Sequence, residues 1–359
     1  MKILTGDVGG SMAFLKKLFS KQSDRNPSNA TPSSTGNPAN DPDMIKIFDA
    51  YRREMYITRQ NWLEKVLPGS IEQNWNKPEK LSGLIIQSLG DGFFKEMVKP
   101  AEHLFEIDQD HERATTLLGI IYLKTKRVGD SERILQQHIE KYGESDVVLT
   151  NLAKAYSELG DDQRSLKTLF RGLQLDPNQD NALGWYMAIQ REKGGEEAEL
   201  EALAQIADLH GSWRAQLWLA REALKRHNLS RALNLYEQSL AASPSPTPSD
   251  LLMQLSGDLG NSGCLSELID LTLPRFNIEF HGLLVGNNII KASLDLGLPE
   301  KAQQILNQLY AQNRPDWKQT LEFWDTGIAK AKLTLAQDKS KDNITVNMLS
   351  IKGARLAKT

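Results

Sequence analysis

The 359-residue chain holds a single cysteine, Cys264, which excludes an intrachain disulfide and a thiolate zinc cluster and fits a reducing, cytoplasmic compartment. No apolar run reaches the roughly 18 to 20 residues that a membrane-spanning helix needs. Neither sign of charge dominates: 43 Lys and Arg face 46 Asp and Glu, a net charge of −3. Nothing in that balance supplies the field that holds a nucleic acid. Catalytic signatures are equally scarce, with no HExxH, no GxSxG and no complete phosphate loop. The six histidines, His103, His111, His138, His210, His227 and His281, are scattered along the chain, and Asp108 with Asp110 reads as the start of a turn. The expectation is a chain without metal, cofactor or catalysis.

What is present falls into four parts. Residues 1–43 read as a leader and linker. The string Gly6-Asp7-Val8-Gly9-Gly10 is similar to a phosphate loop but is followed by basic and then Ser/Asn/Pro-rich sequence rather than an α/β domain, so nothing is built on it. From Met12 the sequence opens like a bacterial reading frame. Phe14, Leu15, Leu18 and Phe19 beside Lys16, Lys17 and Lys21 make a short basic amphipathic pattern, enough at most for weak peripheral contact with a membrane. Residues 22–43, rich in Pro, Ser and Asn, cannot bury enough surface to fold. Residues 44–77 mix strand-formers such as Ile45, Ile47 and Ile57 with a charged bend, which predicts a hairpin and then a helix around Trp62 to Val66, broken by Leu67-Pro68-Gly69.

Residues 78–338 carry a repeat of 34 residues. Its clearest copy, 146–179, has Leu152-Ala153, Tyr156, Gly160-Asp161, Ser165, Leu169, Gly172 and Asp176-Pro177 in order. The copy at 112–145 aligns Leu118-Gly119, Tyr122, Ser131 and Leu135 in the same frame, and 213–246 aligns Leu219-Ala220, Ala223, Ala232, Tyr236, Leu240 and Pro244. Weaker copies lie at 78–111 and 283–316, while 180–212 is one residue short and 247–282 has lost most of the pattern. This order resembles the tetratricopeptide repeat, in which each copy is a pair of helices, A and B, and the small residues mark where they touch. The resemblance implies an all-α superhelix (a solenoid) with a small, possibly β-containing N-terminal segment. A helix over about 316–337, with Trp317, Leu321, Trp324, Ile328 and Lys332 at helical spacing, predicts a cap on the last pair. In residues 339–359, Ile344, Val346, Met348 and Ile351 alternate, a strand-like run that reads as the opening of a further domain.

The resemblance also implies that fixed positions of each helix A face a groove. They select Asn151, Lys154, Asn181, Trp185, Arg214, Trp218, Arg221, Asn288 and Lys291. Asn151 and Lys154 recur as Asn288 and Lys291 at matching positions. An amide can bracket an extended backbone, Lys and Arg can pair with carboxylates, and Trp can cover an apolar side chain. The implied function is a scaffold that binds a protein segment carrying acidic and apolar side chains. The alternative is a regulatory or targeting array belonging to a larger enzyme.

Overall fold

The computed structural model describes residues 41, 43–48 and 54–356. The Gly6–Gly10 string, the Met12–Lys21 amphipathic pattern, nearly all of the 22–43 linker and the Arg52-Arg53 bend lie outside the described residues. Two compact units divide the chain, one ending at Lys193 and the other starting at Gly194.

Unit 1 opens with an antiparallel strand pair, β1 (Met44–Phe48) and β2 (Glu54–Thr58), in which Ile45 faces Ile57. Ile45 is buried and Ile57 half-buried against the unit's core. The chain then becomes helical from Arg59, passes through a π-helical turn at Trp62–Val66 and continues as α1 (Leu67–Asn74). The expected break at Leu67-Pro68-Gly69 does not occur. Pro68 stands in the first turn of α1, where a missing N–H costs nothing and the fixed φ suits the helix.

Three helix pairs follow: α2 (Pro78–Gly90) with α3 (Val98–Ile107), α4 (His111–Lys124) with α5 (Val128–Tyr142), and α6 (Asp146–Glu158) with α7 (Asp162–Leu175). Each pair packs internally and α4 packs on α6. The small residues at the crossing do more than make room. Ser131 donates its hydroxyl to the carbonyl of Gly119 at 3.0 Å, and Ser165 donates to that of Ala153 at 2.8 Å. Each bond ties helix B to the preceding helix A at the buried contact, where an unsatisfied carbonyl or hydroxyl would cost about 1–3 kcal/mol.

The turn between helices is equally regular. Gly160 stands at φ +79°, with Asp161 capping the next helix by accepting from the Arg164 N–H at 2.9 Å. The matching residues Lys126 (φ 63°), His227 (φ 57°), Gly263 (φ 74°) and Gly297 (φ 70°) share that left-handed backbone. Two of them therefore carry side chains where glycine is the unstrained choice.

The helix α8 (Asp180–Ala207) contains a break at Gly194 and Gly195, the latter at φ 73° and ψ −162°, which only glycine adopts readily. Its first part closes unit 1 and its second part opens unit 2. Unit 2 continues with α9 (Arg214–Lys225) on α10 (Leu229–Ala242), then α11 (Ser249–Asn261) with the shortened α12 (Leu265–Thr272), α13 (Ile278–Asp295) with α14 (Pro299–Ala311), and α15 (Lys318–Leu356). Leu321 and Ile328 of α15 are buried in the same core as Leu306 and Leu309 of α14, which makes the start of α15 the cap of the last pair. The strand expected after it is not there: α15 runs on to Leu356. Alternation alone cannot hold a strand, because an unpartnered edge leaves backbone groups unpaired, whereas a helix satisfies them internally. Within each unit the architecture is all-α apart from the single strand pair.

Candidate functional site

In unit 1 the face of interest is formed by the helices A, α4 and α6. Asn151 is 4% exposed. Its amide turns back to donate to the Val147 carbonyl at 2.9 Å, and its Oδ1 has no hydrogen-bond partner. On α4, Thr116 is also buried with a hydroxyl that has no partner. Lys154, one turn beyond Asn151, is partly buried. Burial, reinforced by the positive charge of Lys124, brings its amine down to about 7. The Lys124 amine is itself lowered by burial, with Glu158 pulling it back and Lys126 adding to the fall, and it stands 5.9 Å from the centre of the Phe94 ring. Two successive helices A thus bring like charges into one desolvated region. The first part of α8 places Asn181 and Trp185 in half-buried positions.

The helices A of unit 2 carry a different arrangement. Arg214, expected at the ligand surface, is 6% exposed and pairs with Asp250 on α11 at 2.6 Å, with its guanidinium over the Trp213 ring at 4.5 Å. It is a buried member of the stack, and the expectation that its position is free of the fold is corrected. Arg221 is likewise engaged: its Nε donates to both carboxylate oxygens of Asp258 at 3.0 Å and its Nη2 to Gln254 at 2.9 Å. Burial raises the Asp258 carboxyl, an effect that Arg221 offsets, and the Tyr236 phenol is raised by burial beside it. Trp218 packs against the unit's core. Asn288 donates to the Ser256 hydroxyl at 2.8 Å, and exposed Lys291 pairs with Asp295 at 2.5 Å along its own helix. Asn288 and Lys291 therefore share repeat positions with Asn151 and Lys154 without sharing their surroundings.

The nine selected residues are divided between the units, with Asn151, Lys154, Asn181 and Trp185 in the first and the rest in the second. Sequence reasoning missed Lys124, Thr116 and the carboxylates Asp250 and Asp258. The latter two had a signal, since each lies about one repeat beyond the arginine it pairs with. Arg113 shows the same geometry, joined to Glu79 at 2.8 Å and to buried Asp108 at 2.9 Å, with Asp108 first among the groups that raise its guanidinium. Asp110 caps α4 by accepting from the Arg113 N–H at 3.0 Å, which makes the Asp108–Asp110 pair a turn start as expected.

His111 and His138 converge on Tyr142, their ring centres 4.6 Å and 5.0 Å from its own. His138 is buried against Thr115 at 3.1 Å, and burial lowers its imidazole. His281 is buried between Asn277 and the Thr247 carbonyl. Cys264 is half-buried rather than fully buried, and burial raises its thiol. Among the described residues, no group of three or more His, Cys, Asp or Glu could hold a metal ion, and no helix is long and apolar enough to cross a membrane.

No protein-family model matches the chain, and no curated protein matches it. Solved structures do. A tetratricopeptide repeat protein from Parabacteroides merdae is 14% identical, with 70% of this chain and 98% of that one covered at a TM-score of 0.30. MamA is 15% identical over 44% of this chain and 93% of its own, at 0.29. YrrB, described as a tetratricopeptide protein with an unusual peptide-binding site, is 14% identical over 50% and 94%, at 0.30. Superpositions this loose carry nothing about the site. The helix pairs, the hydroxyl bonds at their contacts and the left-handed turn recurring one repeat apart come from the chain itself, and they make it an all-α array of stacked helix pairs.

Proposed function

We propose that the chain is a non-catalytic scaffold that captures a segment of another protein on the helix A face of unit 1, with Lys154 and Lys124 as its charged centre. The carrying observation is the convergence of these two lysines from successive helices A in a region dry enough to bring the Lys154 amine to about 7. Desolvated like charges destabilise one another, and a carboxylate bound beside them relieves that cost. Asn181 and Trp185, half-buried on the first part of α8, supply an amide and apolar cover. In unit 2, Arg214 and Arg221 pair with Asp250 and Asp258 and contribute to the stack. Of the residues selected from the sequence, Lys154, Asn181 and Trp185 form the capture surface in this reading; Asn151, 4% exposed, is buried in the stack and is corrected with Arg214.

The test is a peptide array probed with the full-length protein, in which each peptide combines carboxylates with one bulky apolar side chain and is matched by a version with Lys in place of the acids. Lys154→Glu is expected to weaken binding to the acidic set by a factor of about ten or more and leave the circular dichroism unchanged. Equal binding by wild type and variant refutes the assignment. Nucleic acid is expected to bind neither protein.

A further inference from the structure

The helix B side of unit 1 holds a second feature that the capture surface does not use. On α7, Ser165 and Leu169 form the buried seam with α6. Leu166 and Phe170 lie one position further round at i, i+4 spacing, so they make a second apolar stripe that the A–B contact leaves half-buried. Tyr186 of α8 meets this stripe, with its ring centre 5.7 Å from that of Phe170 and the planes inclined at 42°. Together they floor a cleft of about 490 Å³, within the range of sites that hold an apolar group.

The charge around this floor is uneven. Lys167 and Lys193 stand at the cleft against one carboxylate, Asp162. Both lysines are exposed, and neither has an ion-pair partner among the described residues. The floor is aromatic and aliphatic and the surplus charge positive, so the complementary occupant is a bulky apolar side chain flanked by carboxylates. Of this chain's own segments, Met12–Lys21 has the apolar residues but carries Lys16, Lys17 and Lys21, which like charge disfavours here.

We infer that this cleft on α7 and α8 is a second docking site, which takes an acidic peptide segment anchored by one Phe, Trp or Leu. It is separate from the lysine pair on α4 and α6 and would stand if that assignment failed. Two modest sites on one chain give a partner with two such segments a tighter hold than either alone, because the second contact becomes intramolecular.

The probe is a fluorescein-labelled peptide, Asp-Glu-Glu-Phe-Glu-Asp, with Asp-Glu-Glu-Ala-Glu-Asp and Lys-Lys-Lys-Phe-Lys-Lys as controls, titrated into the full chain and read by anisotropy. The Phe peptide is expected to bind at least tenfold tighter than either control, to lose that advantage with Lys167→Glu/Lys193→Glu and with Phe170→Ala, and to keep a Lys154-independent component. Hydrogen exchange should show protection of 162–175 and 180–193 on binding. Equal binding of the three peptides overturns the proposal, as does binding unaffected by the Lys167/Lys193 variant. Peptide binding that depends only on Lys154 supports the capture surface and overturns the second site. A concentration-dependent doubling of mass that Phe170→Ala abolishes assigns the cleft to a second copy and likewise overturns it. Unchanged circular dichroism of the exposed-lysine variant keeps the result interpretable.

Discussion

At the positions expected to face the groove, the two units treat a helix A cation differently. In unit 2 the cations on helix A reach a carboxylate about one repeat further along: Arg214 meets Asp250 and Arg221 meets Asp258. In unit 1, Lys154 has Ile120 and Ala188 one repeat away on either side, and burial, reinforced by Lys124, lowers its amine. A basic residue at a repeat position is thus ambiguous until the residue one period away is read with it. Opposite charge at that spacing makes a latch between repeats; an apolar residue there does not.

Breaking the latch has the largest expected effect. Asp250→Ala leaves the Arg214 guanidinium buried without its carboxylate and is expected to cost about 3 kcal/mol, seen as a lower urea midpoint of the whole chain. The corresponding removal in unit 1 should act in the other direction. Lys154 has its amine at about 7 in the folded chain against an ordinary value of 10.5, so between those values the folded state binds fewer protons than the unfolded state. Stability therefore rises with pH from about 7 to 10.5 on account of this group, and its cost is fully present below 7. Lys154→Met is expected to raise the urea midpoint at pH 7 and to flatten its rise toward pH 10. A midpoint that falls would remove the like-charge account.

The crossing hydroxyls give an effect of intermediate size. Ser165→Ala, which removes the hydroxyl bond that ties α7 to the Ala153 carbonyl, is expected to cost about 1 kcal/mol, and Ser165→Val more, because the branched side chain also separates α6 from α7. At the turns the sign of the effect is set by the resident residue. Gly160→Val forces a branched side chain into the left-handed region and is expected to cost about 1 kcal/mol or more, while His227→Gly relieves that strain and is expected to gain about 0.5 kcal/mol. Thermal unfolding of the pair checks both signs.

Much of this was legible in the sequence, for reasons that particular residues make plain. The turn at Gly160-Asp161 and the small residues Gly119, Ser131, Ala153 and Ser165 answer to backbone geometry and close approach, and such demands leave a recognisable mark in the clearest copies. The N-terminal strand pair and the capping role of α15 followed from apolar spacing. Pro68 misled because a proline breaks a helix only beyond its first turn. The alternation of Ile344, Val346, Met348 and Ile351 misled because a period of two specifies a strand only when another strand is present to pair with it. The site was the least legible part. Repeat position places a residue on a face but says nothing of which neighbour reaches it first, and Arg214 was taken by Asp250 before any ligand could be.

The most direct test of the capture surface couples binding to protonation. A carboxylate placed beside Lys154 restores the amine's hold on its proton, so binding above pH 7 must take up protons from the buffer. Titration calorimetry at pH 8, with an acidic-apolar peptide selected on the array and two buffers of different ionisation enthalpy, is expected to show net proton uptake by the wild-type chain and none by Lys154→Met, whose affinity should be lower. Equal affinity, with no buffer-dependent heat in either protein, would contradict the account.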